Sequence, residues 1–380
     1  MHLERLSLTH FKSYASETFE FSPTLNCLVG ENGSGKTNLL DAIYYLSLTK
    51  SALTNQDAFG IQHGADFFML DGQFVRQEKP VQIMVSFQRG QRKVVLHDRK
   101  PYEKLSEHIG RFPVVLVAPD DTDLVREGSE ERRKFIDGVL SQLDAGYLAD
   151  LLQYNRLLDQ RNGLLRQFSD RGYLDEDLLD VYSEPLVELA QQLFVRRRDF
   201  LVAFLPRVQH YYAYLGEGRE VVDIQYESEV GEEAFGRDFR LNRQRDVAAQ
   251  RTTKGSHKDD YAFTIDGFPL KKYGSQGQQK SFVIALKLAQ FELLTQEKGF
   301  QPLLLLDDIF DKLDDRRIQK LIALMDDGTF GQVFLTDARP ERTEQLLAHV
   351  RGDVRYLRIR PQQVPTALAP SETGQFRKPS

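Results

Sequence analysis

The chain of 380 residues contains one cysteine, no apolar run close to the length of a membrane helix, and no excess of positive charge. A lone cysteine forms no internal disulfide, so the chain is expected in a reducing cytoplasm, with Cys27 as a small core residue. A membrane helix needs about 18 or more apolar residues, so none is predicted and no membrane partner is expected. The N-terminus lacks the long apolar stretch of a secretory signal. Because the formal net charge is -6, nucleic acid would have to bind at a local basic patch.

A glycine-rich loop follows an apolar stretch near the N-terminus. Leu25–Val29 predicts a buried strand that runs into the loop, and apolar residues at helical spacing predict a helix over residues 38–48. The loop fits the pattern G-x-x-x-x-G-K-T in full, and strand, loop and helix in this order are the context of a phosphate-binding loop. Its residues are Gly30, Glu31, Asn32, Gly33, Ser34, Gly35, Lys36 and Thr37.

The chemistry of each loop residue follows from its type. Glycines let successive backbone N–H groups converge on phosphate, and the following helix points its positive end at the same place. Lys36 is placed to reach the β- and γ-phosphates of a nucleotide, and Thr37 to ligate Mg²⁺. The loop alone would fit a kinase, a GTPase or a helicase.

A second motif is a buried run of four leucines that ends in two acids. Leu303–Leu306 predicts a strand, and Asp307 at its end is expected to hold Mg²⁺ through water. Asp308 is then placed to orient or deprotonate the attacking water. Many related ATPases have glutamate there; aspartate is one methylene shorter, so we expect slow hydrolysis.

A third motif, residues 275–279, precedes a strong predicted helix over residues 281–294. Its N–H groups and the helix dipole favour an anion, Ser275 adds a hydroxyl, and Gly277 allows close approach. Because the glycine loop already forms a phosphate site in the same subunit, this second anion site is predicted to serve another copy of the chain. Ser275, Gly277 and Gln278 are the candidate contacts, and a polar N-cap and turn is the alternative.

The rest of the chain predicts an α/β head interrupted by helices. Residues 1–128 form the first part of the head, residues 129–216 carry two long apolar stripes at helical spacing, and residues 217–360 complete the head. The stripes predict two helical legs folded back as an arm; an ordinary helical subdomain packed on the core is the alternative. Residues 236–258 are arginine-rich and predict a mobile loop, and residues 361–380 predict a disordered tail.

Some signals are weaker. His257 is a candidate for contact with phosphate or a subunit boundary, and a hydrogen-bonded loop histidine is the alternative. Three arginine-rich segments are candidate DNA patches, although solvated helix faces explain them almost as well: residues 132–134, 196–198 and 237–251. Nothing in the sequence indicates reading of base edges, so binding would be to backbone and shape.

Together these motifs resemble the ABC/SMC class of ATPases and, within it, the bacterial RecF recombination and repair family. The segments that carry the resemblance run through nearly all of the chain: residues 8–14, 30–40, 118–121, 130–137, 255–260, 275–280 and 305–314. The resemblance implies a P-loop ATPase head with an inserted helical arm subdomain.

The resemblance also implies a function. The implied function is that of an ATP-dependent homodimer with weak ATPase activity. This dimer would bind gapped or single-stranded DNA and junctions, help load recombinase, and act with recombination mediator proteins. By position, Lys12 and Ser13 would lie beside the nucleotide and Asp314 at the dimer seam. Thr336 stands where related ATPases often carry a switch histidine. The alternatives are the ATPase subunit of an ABC transporter, which shares the motifs but has no such helical insertion, and a small-molecule kinase, which leaves residues 275–279 unexplained.

Overall fold

The computed structural model describes residues 1–360 except residues 217, 219 and 312. The predicted tail, residues 361–380, lies outside the described residues. The strands are β1 (His2–Phe11), β2 (Tyr14–Glu20), β3 (Leu25–Val29), β4 (Phe67–Arg76), β5 (Lys79–Gln88), β6 (Val94–His97), β7 (Lys100–Pro101), β8 (Val114–Val117), β9 (Val222–Glu227), β10 (Asp260–Ile265), β11 (Phe268–Pro269), β12 (Leu303–Leu306), β13 (Val333–Asp337) and β14 (Val354–Arg358).

The α-helices are distributed over the whole described chain. They are α1 (Lys36–Leu48), α2 (Asp123–Arg126), α3 (Ser129–Leu143), α4 (Ala145–Arg171), α5 (Glu176–Gly216), α6 (Phe235–Leu241), α7 (Arg243–Ala248), α8 (Leu270–Tyr273), α9 (Gln276–Lys298), α10 (Asp315–Asp326) and α11 (Pro340–Leu347). In the part of the chain that the structure describes, no helix has the length and apolar character to span a bilayer.

A parallel five-stranded sheet lies at the centre, in the order β14-β3-β13-β12-β8. Every residue of β3, β12 and β13 is buried, which explains why these strands are mostly apolar in the sequence. Leu335 pairs with Cys27 and Leu306 with Leu335, so the three strands end together at one edge of the sheet. The expected α/β architecture is confirmed.

Helix α1 lies between this sheet and a second, antiparallel one. The second sheet has six strands in the order β2-β1-β4-β5-β6-β7. Its inward residues, together with the apolar side of α1 and Phe334 of the central sheet, form one buried cluster that includes Leu3, Leu39, Leu46 and Phe68. The glycine loop before α1 is therefore anchored from both sides.

On the other face of the central sheet, α5 and α9 pack together and against a three-stranded sheet, β11-β10-β9. Leu193 and Phe204 of α5 share a core with Phe282 and Leu286 of α9. Helices α4 and α5 are the two predicted legs, and they pack along each other. The inserted helices therefore contact the head along α5. The domain boundaries at residues 128 and 216 stay a prediction.

The predicted mobile loop over residues 236–258 is wrong. This segment contains α6 and α7 and is tied to the helical legs by a fully buried ion pair, Arg161 Nη1 to Asp246 Oδ2 at 2.8 Å. Arg161 also donates to Thr252 Oγ1 at 2.7 Å. A charged, weakly apolar segment reads as a loop in the sequence because its buried partner, Arg161, lies 85 residues away.

Candidate nucleotide site

The glycine loop follows β3 at the carboxyl edge of the central sheet and ends in the first turn of α1. Gly33 and Gly35 adopt φ values of 80° and 108°, a region that favours glycine. At Gly30, a Cβ would lie 2.3 Å from the carbonyl oxygen of Ile359, which follows β14, so only glycine fits there. Glu31, Asn32 and Gly33 are exposed, whereas Ser34, Gly35 and Lys36 are buried. The first half of the loop is therefore exposed and its second half is buried.

The polar side chains in the buried half of the loop are placed to bind an anion. The ammonium of Lys36 donates to the carbonyl oxygens of Gly30, at 2.8 Å, and Glu31, at 3.1 Å. Ser34 Oγ is buried and has no hydrogen-bond partner among the described residues. A buried hydroxyl without a partner is costly in a folded protein, so this atom fits a site that binds phosphate.

Thr37 and Asp307 are brought together from opposite ends of the chain. Thr37 Oγ1 donates to Asp307 Oδ1 at 3.1 Å, and Thr336 Oγ1 donates to the same oxygen at 2.7 Å. Burial raises the pKa of Asp307 above its usual value, and the neighbouring charge of Asp308 adds to this, while the two threonine hydrogen bonds act in the opposite direction. This hydroxyl and carboxylate pair fits Mg²⁺, which uses few protein ligands and keeps several waters.

Asp308 is held in an uncommon backbone conformation. Its φ is 46°, and its N–H donates to Thr336 Oγ1 at 2.8 Å. Thr336 is fully buried at the end of the adjacent strand β13, so a single hydroxyl contacts both acidic residues. The sequence marks Thr336 only as a departure from related ATPases. Its role as the residue that positions Asp307 and Asp308 depends on the pairing of β12 with β13.

Lys12 and Ser13 lie against the start of α1. Asn38 Nδ2 donates to Ser13 Oγ at 2.9 Å, and Tyr14 OH donates to the carbonyl oxygen of Gly35 at 2.9 Å. The ammonium of Lys12 forms an ion pair with the buried Asp41 at 2.6 Å. This turn therefore supports the glycine loop, and the charge of Lys12 is already paired one helical turn beyond the loop.

We use the name α9 tip for residues 275–279. Ser275 Oγ accepts from the N–H of Gln278 at 3.2 Å, and Gln278 Oε1 accepts from the N–H of Ser275 at 2.6 Å, so the two side chains cap the helix reciprocally. Gln278 Nε2 also donates to Glu220 at 2.5 Å, and Tyr212 OH of α5 donates to the other oxygen of that carboxylate at 2.7 Å. Ser275 and Gln276 are exposed. Glu220 is a contact that the sequence gives no sign of.

The α9 tip lies at the same carboxyl edge of the central sheet as the glycine loop, although α9 and α1 pack on opposite faces of that sheet. Helix α9 leads into β12, so its first turn lies towards the carboxyl ends of the parallel strands. Arg126, which follows β8, donates to Gln279 Oε1 at 3.1 Å and ties the tip to that edge. The structure thus describes two anion-favouring sites at one edge, one buried and one facing outward.

Several predicted DNA contacts have structural roles instead. Arg197 is buried and pairs with Asp137 at 2.9 Å and Asp259 at 2.8 Å, and Arg132 pairs with Asp260 at 2.7 Å. His257 is the loop histidine of the alternative interpretation. Its Nδ1 accepts from Tyr154 OH at 2.7 Å, and burial lowers its pKa to about 4.

Exposed arginines remain on the segment that contains α6 and α7: Arg237, Arg240, Arg245 and Arg251.

The family model described as the RecF/RecN/SMC N terminal domain matches residues 2–352. DNA replication and repair protein RecF of Flavobacterium johnsoniae is 45% identical over 91% of this chain and 97% of its own length. RecF of Cytophaga hutchinsonii is 47% identical over 90% of this chain and 91% of its own length.

Among solved structures, the recombination mediator protein RecF-ATPrS of the RecFOR pathway superposes with a TM-score of 0.84 at 27% identity, covering 94% of this chain and 96% of that one. The Smc head domain of Pyrococcus furiosus shares the fold, with a TM-score of 0.54 at 18% identity over 95% of this chain and 94% of that one. Fold and site define an ATPase head of the ABC/SMC class. The chain belongs to the RecF family of DNA replication and repair proteins.

Proposed function

We propose that this protein is a weak ATPase whose nucleotide joins two copies of the chain, and that the dimer binds gapped or single-stranded DNA and junctions during recombinational repair in the cytoplasm. The observation that carries the proposal is the pair of anion-favouring sites at one sheet edge, a buried glycine loop and an exposed α9 tip. A two-fold related copy can present its tip to the nucleotide on the loop of the first, and the same contact then forms twice.

Each residue has a defined part in this proposal. The N–H groups of residues 30–37 and the ammonium of Lys36 bind the phosphates, and Thr37 and Asp307 hold Mg²⁺. The metal supplies charge neutralisation at the phosphates when it is bound. Asp308 orients the attacking water and accepts its proton, while Thr336 holds both acids in place. Ser275, Gly277 and Gln278 contact the γ-phosphate bound by the other copy.

DNA would contact the arginines of the α6–α7 segment through its phosphates, without base-specific contacts. This assignment rests on the exposure of Arg240, Arg245 and Arg251 and on the pairing of the other arginine clusters. Solved RecF structures are named as recombination mediator proteins of the RecFOR pathway, which supports mediator proteins of that pathway as partners and a role in helping recombinase load. The transporter alternative is not favoured, because the curated relatives are DNA repair proteins.

Changing Ser275 to Asp tests the central contact. Aspartate still caps α9 through its carboxylate, so folding is retained, but its charge repels the phosphate of the partner. We expect ATP-dependent dimers, measured by light scattering or sedimentation, to be lost, while Ser275→Asn, which caps the helix without a charge, keeps part of the association.

Dimers of unchanged strength in Ser275→Asp would disprove the cross-subunit contact. Two further measurements separate the repair function from the transporter and kinase alternatives: ATP turnover with and without gapped DNA, and retention of that DNA at moderate salt. Only the repair function predicts that DNA changes turnover and is retained.

A further inference from the structure

The missing side chain of Gly277 leaves a space bordered by a hydroxyl and a guanidinium. A Cβ at Gly277 would lie 3.6 Å from Arg317 Nη1, 3.9 Å from Arg317 Nη2 and 4.0 Å from Ser275 Oγ. Arg317 belongs to α10 and is 40 positions away in the chain, so the sequence motif around Ser275 gives no sign of it. A group that approaches Gly277 from outside therefore meets Arg317 and Ser275 together.

Arg317 is restrained by one acidic residue, and its guanidinium keeps hydrogen-bonding capacity that the described residues do not use. Nη1 forms an ion pair with Asp314, whose side chain also caps α10 by accepting from the N–H of Arg317 at 3.0 Å. Nε is buried and has no hydrogen-bond partner among the described residues. Asp314 is half exposed, and it restrains the guanidinium without using all five of its N–H donors.

A second carboxylate, that of Glu220, contacts the α9 tip at Gln278 and not at Gly277. Glu220 accepts from Gln278, and its second oxygen accepts from Tyr212. The carboxylate of Asp314 also lies here, paired with Arg317 Nη1. The guanidinium of Arg317, the hydroxyl of Ser275 and the first turn of α9, which border the Gly277 space, favour an anion. A guanidinium recognises phosphate oxygens in a planar, two-pronged geometry that lysine lacks.

We propose that Arg317 contacts the terminal phosphate of the nucleotide bound by a second copy of the chain, next to Ser275 and Gly277. This inference rests on the proposed ATP-dependent dimer and adds a cationic residue to its shared site. An arginine supplied by a neighbouring subunit stabilises the charge on a transferring phosphoryl group, so Arg317 is expected to affect both association and turnover.

The test uses mixed pairs of variants with different fluorescent tags. One copy carries Lys36→Ala in its glycine loop, and the other carries Arg317→Ala. If Arg317 acts across the interface, the mixed pair contains one complete site, formed by the loop of the second copy and the Arg317 of the first. If Arg317 acts on its own nucleotide, neither site is complete.

We expect Arg317→Ala alone to weaken ATP-dependent association by at least about tenfold, as for loss of a charge-assisted hydrogen bond, and the mixed pair to recover at least tenfold over Arg317→Ala with itself. Arg317→Lys keeps the positive charge but not the two-pronged hydrogen bonding of the guanidinium, so its association should be of intermediate strength. Arg316→Ala is the matched control, because it removes the same charge from an exposed neighbour on α10 and should associate like the wild type. Thermal melting of each variant checks folding.

A second mixed pair, Ser275→Asp with Lys36→Ala, separates two kinds of failure. If this pair recovers and the Arg317 pair does not, Arg317 has no cross-subunit role and the proposed dimer stands. If the wild type itself forms no ATP-dependent dimer, the proposed function fails and this inference fails with it. Association of Arg317→Ala equal to that of Arg316→Ala would also overturn the inference.

Discussion

The glycine loop and the α9 tip are both glycine-containing segments that open a helix, yet they are built in opposite ways. The loop is held between two sheets, with Lys36 and Ser34 buried and its glycines in conformations that side chains rarely adopt. The tip is exposed at Ser275 and held by its own capping hydrogen bonds. The glycine loop is completed by the fold of a single chain. The α9 tip has ordered polar groups, but its outer surface is exposed.

This difference separates residues that the fold needs from residues that a second copy needs. Substitutions in the loop should change folding or nucleotide binding by the isolated chain. Substitutions at the tip should leave the isolated chain intact and change only association. The experiments below test that division, in order of decreasing effect.

Lys36→Ala should give the largest change. The buried ammonium is the positive charge of the loop, and charge-assisted hydrogen bonds contribute about 1.5–3 kcal/mol each. We expect ATP affinity, measured by titration calorimetry, to fall on the order of 100-fold. Lys79→Ala, an exposed lysine on β5, is the control. Wild-type affinity in Lys36→Ala would mean that the loop is not the nucleotide site.

Gly30→Ala should destabilise the chain by about 1–3 kcal/mol, because its Cβ would lie 2.3 Å from a backbone oxygen and β14 would have to shift. Urea unfolding measures this change. Gly33→Ala is the matched variant: no atom lies within 4 Å of its Cβ, and only the left-handed φ of 80° costs stability, about 1 kcal/mol. Equal effects at the two positions would contradict the close approach of Ile359.

Asp307→Asn should stabilise the nucleotide-free chain while it abolishes turnover. Burial raises the folded-state pKa of Asp307, so its contribution to stability is lost as pH rises from its usual 3.8 through the folded pKa. Asparagine has no charge that must be buried at high pH, so it avoids this loss of stability. Its Oδ1 still accepts hydrogen bonds from Thr37 and Thr336.

Urea unfolding of this variant and the wild type at pH 5 and pH 7, without Mg²⁺ or nucleotide, should show a larger advantage for the variant at pH 7. A variant that is less stable than the wild type at pH 7 would show that the carboxylate itself supports the fold.

Gly277→Ala should have the smallest effect on the isolated chain. Its Cβ would meet only ordinary contacts and its φ is not left-handed, so stability should stay unchanged or rise by up to about 1 kcal/mol. The methyl group fills the space between Ser275 and Arg317, so ATP-dependent association should weaken. Loss of stability here, or unchanged association, would remove the contrast between the two glycine segments.

Local patterns predicted much of this molecule because their signals lie within a few residues. The loop of residues 30–37, the strand Leu303–Leu306 and the cap at Ser275 each carry turn, burial or capping chemistry that is readable in one segment. The sequence predicts the wrong structure for residues 236–258, because the residue that anchors this segment, Arg161, lies elsewhere in the chain. The sequence predicts the arginines at positions 132 and 197 as surface candidates, because their carboxylate partners are distant in the chain.

The sequence by itself determined that the chain has a phosphate loop, an acidic strand end and a polar segment before a strong helix, because glycine conformations, apolar runs and turn residues act over short distances. Only the tertiary structure decided that Thr336 orients both acids, that Glu220 binds Gln278, and that Arg317 borders the space at Gly277. These contacts depend on which strands pair and which helices pack, and such long-range choices leave no periodic trace in the chain.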